Sequence, residues 1–265
     1  MADTKSPPGR LREPVSILMP VCNEAEVIEE VIEEWVGEVL RHLPLGSELV
    51  FDDGASTDGT REILARMARK YPFLRVINSP RDGFAAAARR LYRTARCPLV
   101  FFTDSDGQYA ASEFWKLADF ISQCDVVHGA KLDRQDPLFR RVFSAAFNRI
   151  ASLLFDQPYG DINSAFRLMR TAAIRKPLER VSVMPTLFNA ELLLRCLQEN
   201  LTIRQVPVLH RCRRAGRSRG LPAYRYLLEG WWALKGLFKI KASCRSPAPL
   251  KVPPLTSACE KDTAA

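Results

Sequence analysis

The residues with the clearest chemical potential follow the apolar run LVFFT at 99–103. Asp104 and Asp106 stand at alternate positions directly after this run, and Gln108 comes two residues later. Carboxylate and amide oxygens are the ligands that Mg²⁺ and Mn²⁺ prefer. The spacing therefore predicts a cation site on Asp104, Asp106 and Gln108, where the cation would bridge the two phosphates of a nucleotide. The alternative is a solvated acidic loop, because a single Asp-x-Asp pair is common.

A second group of polar residues is typical of nucleoside binding. Asp52 and Asp53 begin the segment DDGASTDGT, in which glycines and small hydroxyl residues precede a helix start. Carboxylates at such a place can accept hydrogen bonds from a base or a ribose; which of the two makes the contact stays open. The first apolar run, VSILMPV, leads into Asn23 in the same way, and a helix cap is an equally good interpretation of Asn23. The predicted nucleotide-sugar ligands are Pro20, Asn23, Glu24, Asp52, Asp53, Asp82 and Asp104.

A sheet must gather these residues, and the hydrophobic pattern predicts one. Short apolar runs alternate with segments of helical periodicity, which is typical of parallel strands with helices on both faces. The carboxyl ends of such strands form one edge, where ligands bind in open α/β sheets. Pro20 is expected to stop the first strand. The predicted strands are 15–21, 48–52, 74–78 and 99–103, and the predicted helices are 25–40, 60–70 and 84–94.

Charge and cysteine content limit the kind of partner and the compartment. The net charge of +9 favours an anionic partner without choosing among nucleotides, nucleic acids and acidic membranes. The seven cysteines lack metal-ligand spacing, and no secretory signal is recognisable, so we expect reduced thiols in a cytoplasm. No apolar run is long enough to span a bilayer.

The second half of the chain has a less regular hydrophobic pattern. This pattern predicts strands at 125–131, 164–170 and 202–210, and helices at 138–154, 187–200 and 223–239.

The motifs PVCNE, DDGASTDGT and TDSDGQ, in this order and spacing, resemble family-two glycosyltransferases of the GT-A fold. Farther along, RRVFSAAFN, DINSAFRLMR, FNAELLLRC and RRAGRSR resemble dolichyl-phosphate mannose synthases and bacterial polyprenyl-phosphate glycosyltransferases. The resemblance implies an α/β fold, Rossmann-like, with three α/β/α layers and a mixed, mostly parallel central sheet. It also implies an inverting, Mg²⁺- or Mn²⁺-dependent enzyme that takes a hexose-type sugar from a GDP- or UDP-sugar.

The same resemblance gives the second half of the chain an acceptor role. We expect a flexible segment at 1–14, a glycosyltransferase domain at 15–240 and a flexible tail at 241–265. The domain would divide into a nucleotide-sugar half at 15–110 and an acceptor half at 111–240. The resemblance implies that phosphate groups are held by Arg141, Ser144, Arg213, Ser218 and Arg219.

Two classes of acceptor remain open. One is a polyprenyl or dolichyl phosphate, and the other is a hydroxyl compound such as a glycan, a lipid or a small metabolite. A hydroxyl acceptor must lose a proton to a positioned carboxylate, for which Asp161 and Glu191 are the candidates. A phosphate monoester already offers an anionic oxygen and needs no base. Asp161 and Glu191 join Asp106 in the predicted catalytic set.

The final predicted helix, 223–239, also has two interpretations. Trp231 and Trp232 with interleaved lysines are typical of a helix that lies on a membrane, but the same aromatics could pack into the core. The first interpretation predicts a cytoplasmic protein in peripheral contact with a membrane. A non-enzymatic nucleic-acid-binding protein is a further alternative, supported by the net charge and the arginines at 211–219. No nucleic-acid module is recognisable and the strand ends are acidic, so we expect no nucleic-acid partner.

Overall fold

The computed structural model describes residues 11–132, 138–158, 160–211 and 226–243. The predicted terminal segments therefore lie largely outside the described residues. The strands are β1 (Val15–Val21), β2 (Glu48–Gly54), β3 (Leu74–Ser79), β4 (Leu99–Phe102), β5 (Val126–Leu132), β6 (Arg167–Arg170) and β7 (Ile203–Leu209). The helices are α1 (Ile28–Glu38), α2 (Thr60–Lys70), α3 (Phe84–Thr94), α4 (Phe114–Ala118), α5 (Leu138–Phe155), α6 (Thr171–Arg180), α7 (Phe188–Gln198) and α8 (Tyr226–Ala242).

The described strands form one seven-stranded sheet in the order β3-β2-β1-β4-β6-β5-β7. β1 to β4 run parallel to one another, and β5 runs parallel to β7. β6 lies between these groups and is antiparallel to both β4 and β5. The sheet is therefore mixed and mostly parallel, as expected, and it continues through both predicted halves of the domain.

Helices cover both faces of the sheet, which gives three layers. Successive residues of a strand point to opposite faces, and β1 accordingly sends Ile17 into one core cluster and Leu18 into another. The first cluster includes Trp35 of α1 and Phe114 of α4. The second cluster includes residues of α3, α5, α6, α7 and α8. Burial on both faces explains why the strands lack polar alternation.

The hydrophobic pattern locates the early elements more accurately than the later ones. The bounds predicted for the first strand and for the helices 60–70 and 84–94 are confirmed. The strand predicted from 164 begins only at Arg167, because the chain turns at residues 162–163 and the carbonyls of Ile162 and Ser164 accept hydrogen bonds from the Arg167 side chain. Two helices, α4 and α6, were not among the predicted elements.

Pro20 does not end the first strand, so that expectation is wrong. It lies inside β1 and pairs with Asp52 of β2. The carbonyls of Leu18 and Pro20 both face β4, where they accept hydrogen bonds from Thr103 N and Ser105 Oγ. A proline has no backbone N–H to donate. It costs the sheet no hydrogen bond at position 20, because β4 ends at Phe102 and offers no strand partner opposite this position.

Candidate active site

A cavity of about 580 Å³ opens at the carboxyl edge of β1, β2 and β4. Its position is the one expected for a ligand site in an open α/β sheet. Three segments form most of its wall: the end of β1, the segment after β4, and the turn that leads into α3. The lining residues from these segments are Pro20, Val21, Cys22, Glu24, Asp104, Ser105, Asp106, Gln108, Pro80, Arg81, Asp82, Gly83, Phe84, Ala87 and Arg90, joined by Gly54 of β2.

The acidic loop after β4 has a fixed backbone. Ser105 Oγ donates to the carbonyl of Pro20 over 2.9 Å, which holds the loop against β1. The backbone N–H of Gln108 donates to Asp106 Oδ1 over 3.1 Å. Gly107 between them has a φ of 71°, a left-handed conformation that glycine adopts readily. Asp104 and Asp106 are thereby both held half-exposed at the cavity wall.

The donor set of this loop fits a hard divalent cation. Asp104 and Asp106 supply carboxylate oxygens, and Gln108 lines the same wall. In the parts of the chain that the structure describes, no group of three or more His, Cys, Asp or Glu side chains is arranged to hold a metal by itself. Magnesium is commonly bound by one or two carboxylates together with substrate phosphates and water. The pair is therefore suited to a cation that arrives with a diphosphate.

The backbone of the acidic loop is also tied to the end of β7. Arg211 N donates to the carbonyl of Gln108 over 2.7 Å, and Gln108 Nε2 donates to the carbonyl of Arg211 over 3.4 Å. Tyr109 and His210 form an isolated bridge beside this contact. The side-chain amide of Gln108 thus has a protein partner in addition to its place at the cavity wall.

The two acids at the end of β2 lie beneath the cavity and do not line it. Asp52 is fully buried, and its carboxylate accepts hydrogen bonds from Ser79 Oγ and, over 2.9 Å, from Arg90 Nε. Asp53 is also fully buried and accepts from Arg61 Nε over 3.0 Å and from the N–H of Ser56 over 3.1 Å. These partners give both carboxylates a supporting role beneath the cavity, and the predicted direct contact with a nucleotide stays a prediction.

Arg90 connects this buried layer to the cavity wall. Its Nη2 donates to Asp82 Oδ1 over 3.0 Å while its Nε holds Asp52. Burial raises the pKa of Asp52, and the bond from Arg90 opposes that rise. Arg90 lowers the pKa of Asp82, which therefore stays a carboxylate at the wall. Arg90 was not among the predicted site residues: a buried carboxylate at a strand end needs donors, but the sequence does not distinguish Arg90 from Arg89 or Arg93 as one of them.

The loops that follow β1 and β2 support each other. Asn23 has a φ of 52°, and its N–H donates to Ser56 Oγ over 2.8 Å. Its side-chain oxygen accepts from the N–H of Thr57 over 2.7 Å. The N–H of Glu24 donates to Thr60 Oγ1 over 2.9 Å. Asn23 therefore positions the loop, whereas Glu24 reaches the cavity wall.

Asp161 lies behind the acidic loop. It is buried, and its backbone carbonyl accepts a hydrogen bond from His128 Nε2. Burial raises the pKa of Tyr109, and the nearby carboxylates of Asp104 and Asp161 raise it further. Both carboxylates are thus close to this tyrosine, whose hydroxyl is 2.9 Å from Ser164 Oγ. Asp161 is near the predicted reaction centre but does not line the cavity.

Glu191 has a different environment from the one expected of a base. It lies in the first turn of α7, fully buried and outside the cavity lining. Its carboxylate accepts from the N–H groups of Ser182, Val183 and Met184 at 3.0, 2.8 and 2.6 Å, and from Arg195 Nη2 at 3.2 Å. These donors engage both oxygens and give Glu191 a structural role, while its predicted catalytic role stays a prediction.

We expect Glu191→Gln to destabilise the protein without weakening nucleotide binding. The amide would face backbone N–H groups that need an acceptor and would leave Arg195 without its ion pair, a loss of about 2–4 kcal/mol in the free energy of unfolding. Urea unfolding measures this effect, and Glu179→Gln on the exposed face of α6 is the matched control. Full stability combined with lost turnover would contradict the structural role.

The predicted acceptor residues are only partly covered by the described chain. Arg141 is exposed and Ser144 is half-buried, both near the start of α5. Arg213, Ser218 and Arg219 lie outside the described residues. The assignment of these five residues to phosphate binding stays a prediction.

Comparison with known proteins identifies the class. Residues 16–178 match glycosyl transferase family 2, and this chain belongs to that family. The fold agrees with the assignment: glucosyl-3-phosphoglycerate synthase from Mycobacterium tuberculosis, solved with Mn²⁺, uridine diphosphate and phosphoglyceric acid, superimposes with a TM-score of 0.68. The alignment covers 92% of this chain and 86% of that one at 17% identity.

Two relatives with named activities are also similar to this chain. Dolichyl-phosphate beta-glucosyltransferase ALG5C of Trichomonas vaginalis is 25% identical over 73% of this chain and 62% of its own length. An undecaprenyl-phosphate 4-deoxy-4-formamido-L-arabinose transferase of Pectobacterium atrosepticum is 28% identical over 66% of this chain and 55% of its own length. This chain therefore spans between half and two thirds of the length of these relatives.

Proposed function

We propose that this chain transfers a hexose-type sugar from a GDP- or UDP-sugar to a polyprenyl or dolichyl phosphate, with inversion at the anomeric carbon. The observation that carries the proposal is the placement of Asp104 and Asp106 together on the cavity wall, at the sheet edge of a family-two fold. The relatives named for lipid-phosphate acceptors support the choice of acceptor. We further propose that the protein works in the cytoplasm, in peripheral contact with a membrane.

The cavity residues suit the two ends of a nucleotide sugar. Asp104 and Asp106 would hold Mg²⁺ or Mn²⁺, which supplies positive charge to the leaving diphosphate. At the turn into α3, Asp82 offers a carboxylate and Arg90 a guanidinium for polar groups of the nucleoside. Pro20, Val21 and Ala87 give the same cavity an apolar wall against which a flat base can pack.

The acceptor decides whether the protein must move a proton. In the proposed reaction a phosphate oxygen forms a bond to the anomeric carbon, and the bond from that carbon to the nucleoside diphosphate breaks. The transition state resembles an oxocarbenium ion, as in glycoside hydrolysis. A phosphate acceptor is already anionic, so positioning and electrostatics are sufficient. A buried, structural Glu191 agrees with a reaction that needs no base at that position.

The proposal is tested by the release of nucleoside diphosphate. Purified protein is incubated with a panel of UDP- and GDP-hexoses, Mg²⁺ or Mn²⁺, and either a polyprenyl phosphate or the matching polyprenol. We expect release that requires the lipid phosphate and the cation and that stops with EDTA. Equal rates with polyprenol and polyprenyl phosphate would overturn the phosphate acceptor.

A hydroxyl acceptor is the second candidate. The observation in its favour is Asp161, whose carboxylate lies near Tyr109 behind the acidic loop. If the donor is hydrolysed slowly and the lipid phosphate has no effect, a hydroxyl compound is the acceptor. Asp161→Asn would then reduce turnover by roughly 100-fold or more, as expected for the loss of a general base.

A further inference from the structure

The outward face of α8 carries large aromatic and aliphatic side chains in one stripe. Leu228, Trp231, Trp232 and Phe238 are 62%, 57%, 61% and 58% exposed. Their spacing of three, four and seven residues places them on one side of the helix. Lys235 and Lys239 are exposed on the same side. We call these six residues the aromatic face of α8.

Packing of the domain does not account for this face, because a different side of α8 serves the core. Ala233, Leu237 and Ile240 are buried there. Gly236 lies so close to Met184 that an added Cβ would overlap the methionine side chain. The helix thus has apolar residues on two opposite sides, and only one of them is covered by described parts of the domain.

Contacts along the length of α8 fix which side faces outward. Near its start, Thr186 Oγ1 donates to Glu229 Oε2 over 3.0 Å. Near its end, Gln198 Nε2 donates to the carbonyl of Ile240 over 2.7 Å, and Arg195 Nη1 donates to Ser243 Oγ over 3.2 Å. Rotation of the helix to bury the aromatic face would break these contacts and expose the core side.

The charge on the aromatic face favours an anionic partner. The ammonium group of Lys235 lies 5.0 Å from the ring centres of both Trp231 and Trp232. Among the described residues of α8 the only acid is Glu229, which Thr186 engages on another side. Helices that lie on a membrane commonly combine indole rings with lysine ammonium groups. The ring enters the headgroup region of the bilayer, and the lysine contacts lipid phosphates.

A protein partner fits this pattern less well. The centres of protein interfaces are depleted of lysine, whereas Lys235 stands in the middle of the aromatic face. Membrane insertion is also a poor fit: within the described ranges no helix is long and apolar enough to cross a bilayer. The aromatic and lysine side chains fit best a helix that lies flat on a lipid surface.

We propose that the aromatic face of α8 docks on a bilayer that contains anionic lipids. Docking would hold the domain at the surface from which a membrane-embedded acceptor phosphate projects, and in this respect the inference rests on the proposed function. The binding itself depends only on α8 and the lipid, so it can be measured without any sugar transfer.

The experiment uses the full chain with vesicles of neutral phosphatidylcholine, or of phosphatidylcholine with about a third phosphatidylglycerol. We expect co-sedimentation with the anionic vesicles that weakens as salt is added. The double variant Trp231→Ser/Trp232→Ser should lower the partition coefficient by at least about tenfold, and Lys235→Glu should lower it on anionic vesicles. The matched controls are Leu45→Ser at a fully exposed leucine and Arg69→Glu on α2, in the opposite helical layer.

Two results would overturn the docking proposal: failure of the wild type to bind either vesicle, or unchanged binding by both face variants. A short, water-soluble prenyl phosphate separates docking from catalysis, because the tryptophan double variant should use it as well as the wild type does. If that acceptor is glycosylated while vesicle binding fails, docking and the proposed membrane contact fall, and the proposed sugar transfer stands. If vesicle binding behaves as expected and no acceptor is glycosylated, the proposed function falls instead.

Discussion

Asp106→Asn is expected to abolish most of the release of nucleoside diphosphate, with a fall in kcat/KM of roughly 1000-fold. The amide keeps the shape of the side chain and can still accept the hydrogen bond from the N–H of Gln108. It lacks the negative charge that, in the proposed site, would act with Asp104 to hold a divalent cation. The leaving diphosphate would then develop its charge without a cation beside it. Steady-state turnover measured across a Mn²⁺ titration gives the size of the effect.

Two further measurements keep this result specific. Asp119→Asn changes an exposed carboxylate that does not line the cavity, and it should leave turnover unchanged. Binding of the nucleoside diphosphate, followed by calorimetry, should be strengthened by Mn²⁺ in the wild type and not in Asp106→Asn. A variant that keeps turnover within tenfold of the wild type, with an unaltered Mn²⁺ requirement, would show that the cation site lies elsewhere.

The parts of this molecule that could be predicted from sequence are those set by local pattern. The run 15–21 is apolar because β1 is buried on both faces, and its identity as a strand follows from that burial. Parallel strands end at a common edge, so Asp104, Asp106 and Glu24 could be placed together before any coordinates existed. The layered architecture followed from the same alternation.

The partners of buried charges could not be predicted, because they are set by packing between distant segments. Asp52 and Arg90 are 38 positions apart and meet only because α3 packs beside β2. A carboxylate at a strand end looks the same in sequence whether it faces a ligand or a buried guanidinium. Glu191 gave a similarly ambiguous signal, because the sequence does not reveal that the backbone N–H groups of residues 182–184 donate hydrogen bonds to its carboxylate.

Arg167 is the clearest example of a residue whose role appears only in the structure. It is fully buried and donates to three backbone carbonyls: Nε to Ser164 over 2.9 Å, Nη2 to Ile162 over 2.7 Å, and Nη1 to Asn189. Burial lowers the pKa of its guanidinium, and the charge of nearby Asp161 opposes that change. The planar fork of arginine reaches three acceptors that diverge in space. One side chain thereby joins the turn after Asp161 to the first turn of α7.

Arg167→Met is therefore expected to lower the free energy of unfolding by about 3–5 kcal/mol, because it removes the charged donor that three buried carbonyls share. Arg167→Lys keeps the charge but loses the fork of donors. Its loss of unfolding free energy should therefore be smaller than that of Arg167→Met and larger than that of Arg93→Met, which changes an exposed site of α3. Urea unfolding of the three variants ranks them. An Arg167→Met protein as stable as Arg93→Met would refute the idea that this guanidinium holds the turn.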